Sequence, residues 1–336
     1  MKIRKYYILF IFCFISAWAS DFSRCLEFNG ESNYVIIDNS PLNVSRKFTI
    51  ECWFNVHTFV DGAAIIDNGT ADTSGVISGY SICTADSNRI VIRMGNGNSD
   101  IRVQLDSITA NLWQHLAVTY NKYKNDENIV VFLNGKVIKK TDCDIVLTYP
   151  DSFHPYGLNI GGYRDDLYKV YFDGMVDELR IWNIVRSNTQ IRAAMDSELD
   201  SLETGLQGYY TFNHESGGIL EDLSESENHG LLVNMPDSCW KLSYAHLMTL
   251  QPDDVAFRRI VLAWICSPGF TSFTVDLSEV PDFTSSLPGF PLSDIITSYY
   301  IIDDIEPGTY YYRVKGHFEG EDPDLEPWSI TQPVTT

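Results

Sequence analysis

The 336-residue chain is short of positive charge: 24 Lys and Arg stand against 45 Asp and Glu, a net charge of −21. A surface this acidic repels nucleic acid and anionic lipid, and it suits solubility, divalent cations and neutral or cationic ligands. Other patterns are missing too. The seven histidines show no H-x-x-x-H or H-E-x-x-H spacing, so the zinc-hydrolase motifs are excluded. There is no G-x-S-x-G nucleophile elbow. Gly161-Gly162 lacks the strand-glycine-helix setting of a phosphate loop.

Long apolar runs are confined to the N-terminus. Lys2, Arg4 and Lys5 precede a short apolar stretch at residues 6–15, and Ala17-Trp18-Ala19 supplies a cleavage pattern. Residues 1–19 are therefore expected to be a signal peptide, with a mature start near Ser20. No later segment is long enough to span a bilayer, so no membrane insertion is expected after cleavage. Cys13 follows bulky Phe12, a poor setting for lipidation, and a secreted or surface-exposed protein is the expectation. Cleavage leaves 21 cations against 45 acids, a net of −24.

No C-x-x-C pair occurs, but export permits disulfides. Cys25 and Cys239 flank the first expected domain and are candidates for a staple between its end strands. Cys52 and Cys266 lie on alternating apolar strands and are expected as buried thiols.

What is present is strand. Leu116, Val118 and Tyr120 alternate with His115, Ala117 and Thr119, the period of a strand with two different faces. A polar bridge at 121–128 leads to the apolar run 129–133, and Asn134-Gly135 is a strong hairpin signal because a type I′ turn needs positive φ twice. Phe48, Ile50, Cys52 and Phe54 alternate in the same way, and residues 78–83, 89–94, 101–105 and 158–160 read as further strands. One helix is expected at 188–195, with Ser187 as its N-cap. Regular strands divided by turns imply an all-β chain built by sheet stacking.

Five ordered blocks carry a family resemblance. Residues 26–37 (LEFNGESNYVII) and 48–54 (FTIECWF) look like opening strands of the laminin-G-like, concanavalin A-like jelly-roll family. WQHLAVTY at 113–120 with FLNGK at 132–136 is similar to its central hairpin. FDGMVDELRIWN at 172–183 resembles its last long strand, and GLQGYYTF at 205–212 with Asp222 to Ser224 and Asn228-His229-Gly230 resembles its closing segment. The resemblance implies a concanavalin A-like antiparallel jelly-roll sandwich over residues 20–243. After a linker at 244–252, residues 253–336 resemble a C-terminal immunoglobulin-like (fibronectin type III) β-sandwich, with Trp264 in its core. Tyr310 is expected to bond back to the preceding corner, with Tyr311 as the alternative.

The jelly-roll family includes glucanases, so a glycoside hydrolase is the competing expectation. Retaining enzymes need two carboxylates about 5–5.5 Å apart. Asp173, Asp177 and Glu178 come nearest, but adjacent strand residues point to opposite faces, so no catalytic set is expected. Calcium fits better, since it takes oxygen ligands from Asp- and Asn-rich loops. Pentraxins, distant relatives of this jelly roll, bind calcium between two such loops. The matching positions are Asp86 and Asn88 on one side and Asp165 and Asp166 on the other, with Arg164 where a further acid would help. Sugars stack on aromatics, and Tyr80, Tyr149, Tyr156, Tyr163, Tyr168 and Tyr171 are the candidates near loops. The expected function is non-enzymatic binding or adhesion, to an extracellular glycan or protein, with possible partners excluding nucleic acid; a purely structural extracellular module is the further alternative.

Overall fold

A computed structural model describes residues 24–37, 42, 44–71, 75–106, 108–149, 157–162, 170–199, 203–245, 248–249, 255–256, 259–266, 269–303, 305–306, 308–319 and 326–335. The expected signal peptide lies outside them. The first unit holds β1 (Arg24–Asn29), β2 (Tyr34–Ile37), β3 (Lys47–Thr58), β4 (Ala64–Ala71), β5 (Ile77–Ala85), β6 (Arg89–Asn96), β7 (Asp100–Leu105) and β8 (Gln114–Asn121). Then come β9 (Ile129–Leu133), β10 (Lys136–Thr141), β11 (Leu158–Ile160), β12 (Asp173–Trp182), α1 (Asn188–Ala194), β13 (Leu206–Tyr210), β14 (Ile219–Leu220), β15 (Gly230–Val233) and β16 (Trp240–Leu242).

These strands form two antiparallel sheets. The first runs β10-β9-β8-β3-β12-β1-β16, with β13 also paired to β12, and the second runs β14-β15-β2-β11-β4-β5-β6-β7. Alternate residues from both meet in one core, for example Phe28, Phe54, Leu116, Val118 and Val176 from the first and Val35, Ile66, Ile82 and Ile92 from the second. Burying one face of each sheet this way is what makes a sandwich.

The β8–β9 pair behaves as scaffold. Leu116, Val118 and Tyr120 enter the core as their alternation requires, but Ala117 is buried as well, against Phe132 and Ile191 of α1. Both faces of β8 are thus covered. Asn134 and Gly135, at φ 49° and 70°, make the tight turn, but it joins β9 to a third strand, β10. Helix α1 starts where expected: Ser187 accepts from the Gln190 amide, and Gln190 returns a side-chain bond to the Ser187 amide.

Two expectations are corrected. Asp177 and Glu178 share a face, because β12 bulges: Asp177 pairs with Trp53 and Arg180 with Glu51, so Glu178 and Leu179 together oppose Cys52. Glu178 takes φ 48° at this bulge, turning its carboxylate outward beside that of Asp177 while Leu179 stays in the core. The Cys25–Cys239 staple is absent. All six described cysteines are free thiols. Cys25 joins the outer cluster of Trp53 and Trp113, whereas Cys239 belongs to the inner core, so the two lie on opposite sides of the first sheet.

The second unit holds β17 (Met248–Thr249), β18 (Val255–Ala256), β19 (Arg259–Ile265), β20 (Ser272–Ser278), β21 (Leu292–Ile295), β22 (Tyr299–Asp303), β23 (Thr309–His317) and β24 (Gln332–Thr335). One sheet is β17-β19-β18 with β22 on β19, and the other is β21-β20-β23-β24. Trp264, Phe273, Tyr312 and Val314 fill the space between them. Tyr310 donates its hydroxyl to the Glu306 carbonyl at 2.7 Å, the corner bond expected of it. Part of the expected linker is packed rather than free: Ala245 is buried in the outer cluster of the first unit, and Tyr244 contacts the rings of Phe270 and Phe318.

Candidate functional site

The outer face of the first sheet is rich in buried charge, and each charged side chain has at least one partner, with Glu51 Oε2 and Arg180 Nε left unbonded. Glu51 accepts from Trp182 Nε1 at 2.9 Å and Arg186 Nη1 at 3.1 Å. Arg180 donates to the carbonyls of Ala194 and Ser197 and to Glu178, while Trp53 Nε1 donates to the Met195 carbonyl. These donors satisfy carbonyls at and beyond the C-terminus of α1, which would otherwise be orphaned. Burial pushes Glu178 up to about 7 despite Arg180, and burial with the neighbouring Glu178 drives Asp177 well above the carboxylate range. Asp177 is sealed beneath Ser243, whose hydroxyl donates to it. Both carboxylates are inaccessible to a polysaccharide, so their sharing a face does not make a glycosidase pair.

The outer face of the second sheet differs. Strand register sets one side chain from each strand in a row: Ile219, Leu231, Ile36, Asn159, Asp67, Ser81, Arg93 and Arg102. Each has core residues as its strand neighbours or lies in register with one that does, so the row faces away from the core. Its ends are open and its centre is covered. Leu231 and the Arg102 side chain are 53% and 62% exposed, whereas Asn159, Asp67 and Ser81 are only 3%, 3% and 1% exposed. The Asn159 side-chain oxygen Oδ1, the Ser81 hydroxyl and Arg93 Nε are buried with no hydrogen-bond partner. Burial drives the Asp67 carboxyl well above its usual range, partly offset by the Gly69 amide and Arg93. Tyr34, two residues along β2 from Ile36, packs its ring 6.0 Å from that of Tyr171.

Sequence reading placed the site in loops at one end of the sandwich. Asp86 and Asn88 form the exposed β5–β6 turn, where Ser87 and Asn88 take φ 63° and 57°, and the Asn88 carbonyl accepts from the Ile108 amide. Asp165 and Asp166 lie outside the described residues. The end of β11 that precedes them is two strands from the end of β5, about 10 Å at ordinary strand spacing. Among the described residues no group of three or more His, Cys, Asp or Glu is arranged to hold a metal. Of the candidate tyrosines, Tyr80 and Tyr149 serve the core, Tyr171 stands beside Tyr34, and Tyr156, Tyr163 and Tyr168 lie outside the described residues.

A cleft of about 440 Å³ opens at the same end of the sandwich. Its walls include His57 with Asp173 at 3.5 Å and Lys241 with Glu27 at 3.3 Å. Asn29 shapes one wall by accepting from the amides of Glu31, Ser32 and Asn33. Sequence reading missed both this cleft and the row.

Residues 29–192 match the model of the family described as the concanavalin A-like lectin/glucanases superfamily. Over those residues the first unit is matched as a concanavalin A-like domain. No curated protein matches the sequence. Among solved structures, a candidate carbohydrate binding protein from Bacteroides ovatus ATCC 8483 is 23% identical with a TM-score of 0.50, over 64% of this chain and 61% of that one. The chain therefore spans about three fifths of that protein, and the likeness is one of fold. A SAP-like pentraxin from Limulus polyphemus is 14% identical with a TM-score of 0.39, over 52% of this chain and 82% of that one. The CBM40 of a Ruminococcus gnavus IT-sialidase, solved with α2,3-sialyllactose, is 13% identical with a TM-score of 0.42, over 50% and 95%. These two are too distant to inform the chemistry of this concanavalin A-like domain. No helix among its described residues is long and apolar enough to cross a membrane.

Proposed function

We propose that the chain is an exported, non-enzymatic glycan-binding protein, and that its concanavalin A-like domain binds sugar on the outer face of the second sheet. The observation that carries this reading is the set of unpartnered polar atoms on Asn159, Ser81 and Arg93, in register around Asp67. Leaving a buried polar group unsatisfied costs about 1–3 kcal/mol, so a fold has reason to keep such groups where a ligand completes them. Sugar hydroxyls donate and accept at once. They suit an acceptor on Asn159, a hydroxyl on Ser81 and a donor on Arg93. Tyr34 and Tyr171 offer ring surface nearby. The open ends of the row, Leu231 and Arg102, are where a ligand first meets this face.

The second unit serves in this proposal as a fibronectin type III-like docking module, supported by its two four-stranded sheets, the buried Trp264 and the Tyr310 corner bond. Calcium at Asp86 and Asn88, together with Asp165 and Asp166, is proposed as an aid to the loop end.

The test is a glycan array probed with the full chain, with and without a chelator, followed by hydrolysis assays on each ligand found. Binding without hydrolysis is expected, and chelator sensitivity would support the calcium proposal. Hydrolysis of any bound polysaccharide would overturn the non-enzymatic reading, and failure to bind any glycan would overturn the glycan reading.

A further inference from the structure

The cleft at the loop end of the first unit is open where the centre of the row is closed, and its origin lies in strand pairing. β12 pairs with β1 as far as Asn29, but β16 pairs with it only from Arg24 to Leu26, and the chain leading into β16 stands aside as a short 3-10 helix at Asp237–Cys239. Glu27, Phe28 and Asn29 therefore have a partner strand on one side only. The cleft of about 440 Å³ is lined where that pairing stops. Its volume falls within the roughly 300–1,000 Å³ typical of small-molecule sites.

The polar groups of the cleft are held in place and can be reached. Asn33, which is buried, donates to the Asn234 carbonyl and so ties the β1–β2 turn to the chain before β16. Asn29 uses its Oδ1 on the amides of residues 31–33, so what it offers the cleft is its side-chain N–H groups. Asn234 uses an N–H on the Ser32 carbonyl, so what it offers is its side-chain oxygen. The side chains of His57, Asp173, Glu27 and Lys241 are between 26% and 42% exposed. Their two pairs, at 3.5 and 3.3 Å, are longer than the roughly 2.7–3.2 Å of an N–H···O bond, so all four keep hydrogen-bonding capacity.

This lining selects by chemistry. Each carboxylate already has a basic partner. An incoming anion would meet Glu27 and Asp173 in a chain of net charge −21, and an incoming cation would have to compete with His57 and Lys241. Neutral hydroxyls meet neither obstacle. Each donates and accepts, so one can give to Asp173 or Glu27 while another takes from Lys241 or Asn29. Phe28, the one aromatic residue of the lining, is wholly buried, so recognition runs through hydrogen bonds and not through stacking. We propose that the cleft is a second binding site, for a neutral mono- or disaccharide, with Asp173 and Glu27 accepting from its hydroxyls and Lys241 and Asn29 donating to them. This site is separate from the face of the second sheet and does not depend on it.

The experiment is saturation-transfer NMR of the full chain with four neutral disaccharides, lactose, cellobiose, maltose and chitobiose, and with a disaccharide that carries a uronic acid. At least one neutral sugar is expected to receive saturation more strongly than the acidic one. Ser238→Trp, at an exposed position of the lining, fills the cleft and should weaken that sugar by about tenfold or more. Asp173→Asn should weaken it by about tenfold through one lost charged hydrogen bond. Both variants should melt as the wild type does, since the changed side chains are accessible to water. Transfer that persists in both variants, no transfer to any neutral sugar, or a stronger response from the acidic one overturns the proposal. Transfer that survives Ser238→Trp and disappears in Ser81→Ala also overturns it, while upholding the glycan reading of the second sheet.

Discussion

The two sheets of the concanavalin A-like domain both bury polar side chains on their outer faces, and they do so to opposite ends. On the first sheet Glu51, Glu178, Arg180, Arg186 and Trp53 hold α1 and the chain that follows it, each through at least one short bond. On the second sheet Asn159 and Ser81 sit equally deep, each with an atom that bonds to nothing, as Glu51 Oε2, Asn55 Oδ1 and Arg180 Nε also do on the first. Burial alone therefore does not mark a site. What differs is that the unpartnered atoms of Glu51 and Arg180 belong to side chains whose other atoms are bonded, whereas the Ser81 hydroxyl makes no bond at all.

The sharpest way to break this comparison is at Arg180. Arg180→Ala removes the donor for the Ala194 and Ser197 carbonyls and leaves Glu178 buried without its cation. Breaking a buried pair from one side costs about 3–5 kcal/mol. Urea denaturation should show a loss of that order. A loss under about 1 kcal/mol would mean that the first face is not held by its polar network.

Asp67 should behave in the reverse sense. Its folded carboxyl titrates well above the ordinary value, about 3.9, which the unfolded chain shows. Across the window between the two, the folded form holds a proton that the unfolded form has released, so stability falls as pH rises. Asp67→Asn removes that penalty. The variant should match the wild type near pH 4 and exceed it in melting temperature near pH 8, while losing glycan binding. A variant that is less stable at pH 8 would show the Asp67 carboxylate to be a structural group like Glu51.

Ser187→Ala tests the cover of the first face more gently. It removes the cap of α1, and the expected loss is about 1 kcal/mol in thermal unfolding, with ligand affinity unchanged. A drop in affinity would show that the two faces communicate.

The difference between the faces also explains what could be read beforehand. Helix α1 was legible because Ser187 and Gln190 are three residues apart, and the sandwich because each strand carries its own alternation. The shared face of Asp177 and Glu178 was not, since a bulge is decided by pairing with Cys52 on a distant strand. The row was hidden for the same reason. Leu158-Asn159-Ile160, Tyr80-Ser81-Ile82 and Ile92-Arg93-Met94 each show one polar residue between two core residues, which reads as an ordinary solvent-facing position. Only the register reveals that these positions adjoin and that Asp67 lies among them. The apolar-polar-apolar triplets were the available signal, but their order across the sheet was not.

The smallest expected change in stability is also the one that decides most. Ser81→Ala deletes a hydroxyl that is 99% buried and bonds to nothing, so the folded state loses no hydrogen bond and sheds an unsatisfied group. Thermal unfolding should shift by no more than about 0.5 kcal/mol, in the stabilising direction. If Ser81 were only part of the scaffold, nothing else would follow. If it completes a ligand contact, affinity on the array's best glycan should fall about tenfold, the scale of one lost hydrogen bond of about 1–1.5 kcal/mol. A stable Ser81→Ala protein that binds as the wild type does would remove the second face from consideration and shift attention to the cleft between Asp173 and Lys241.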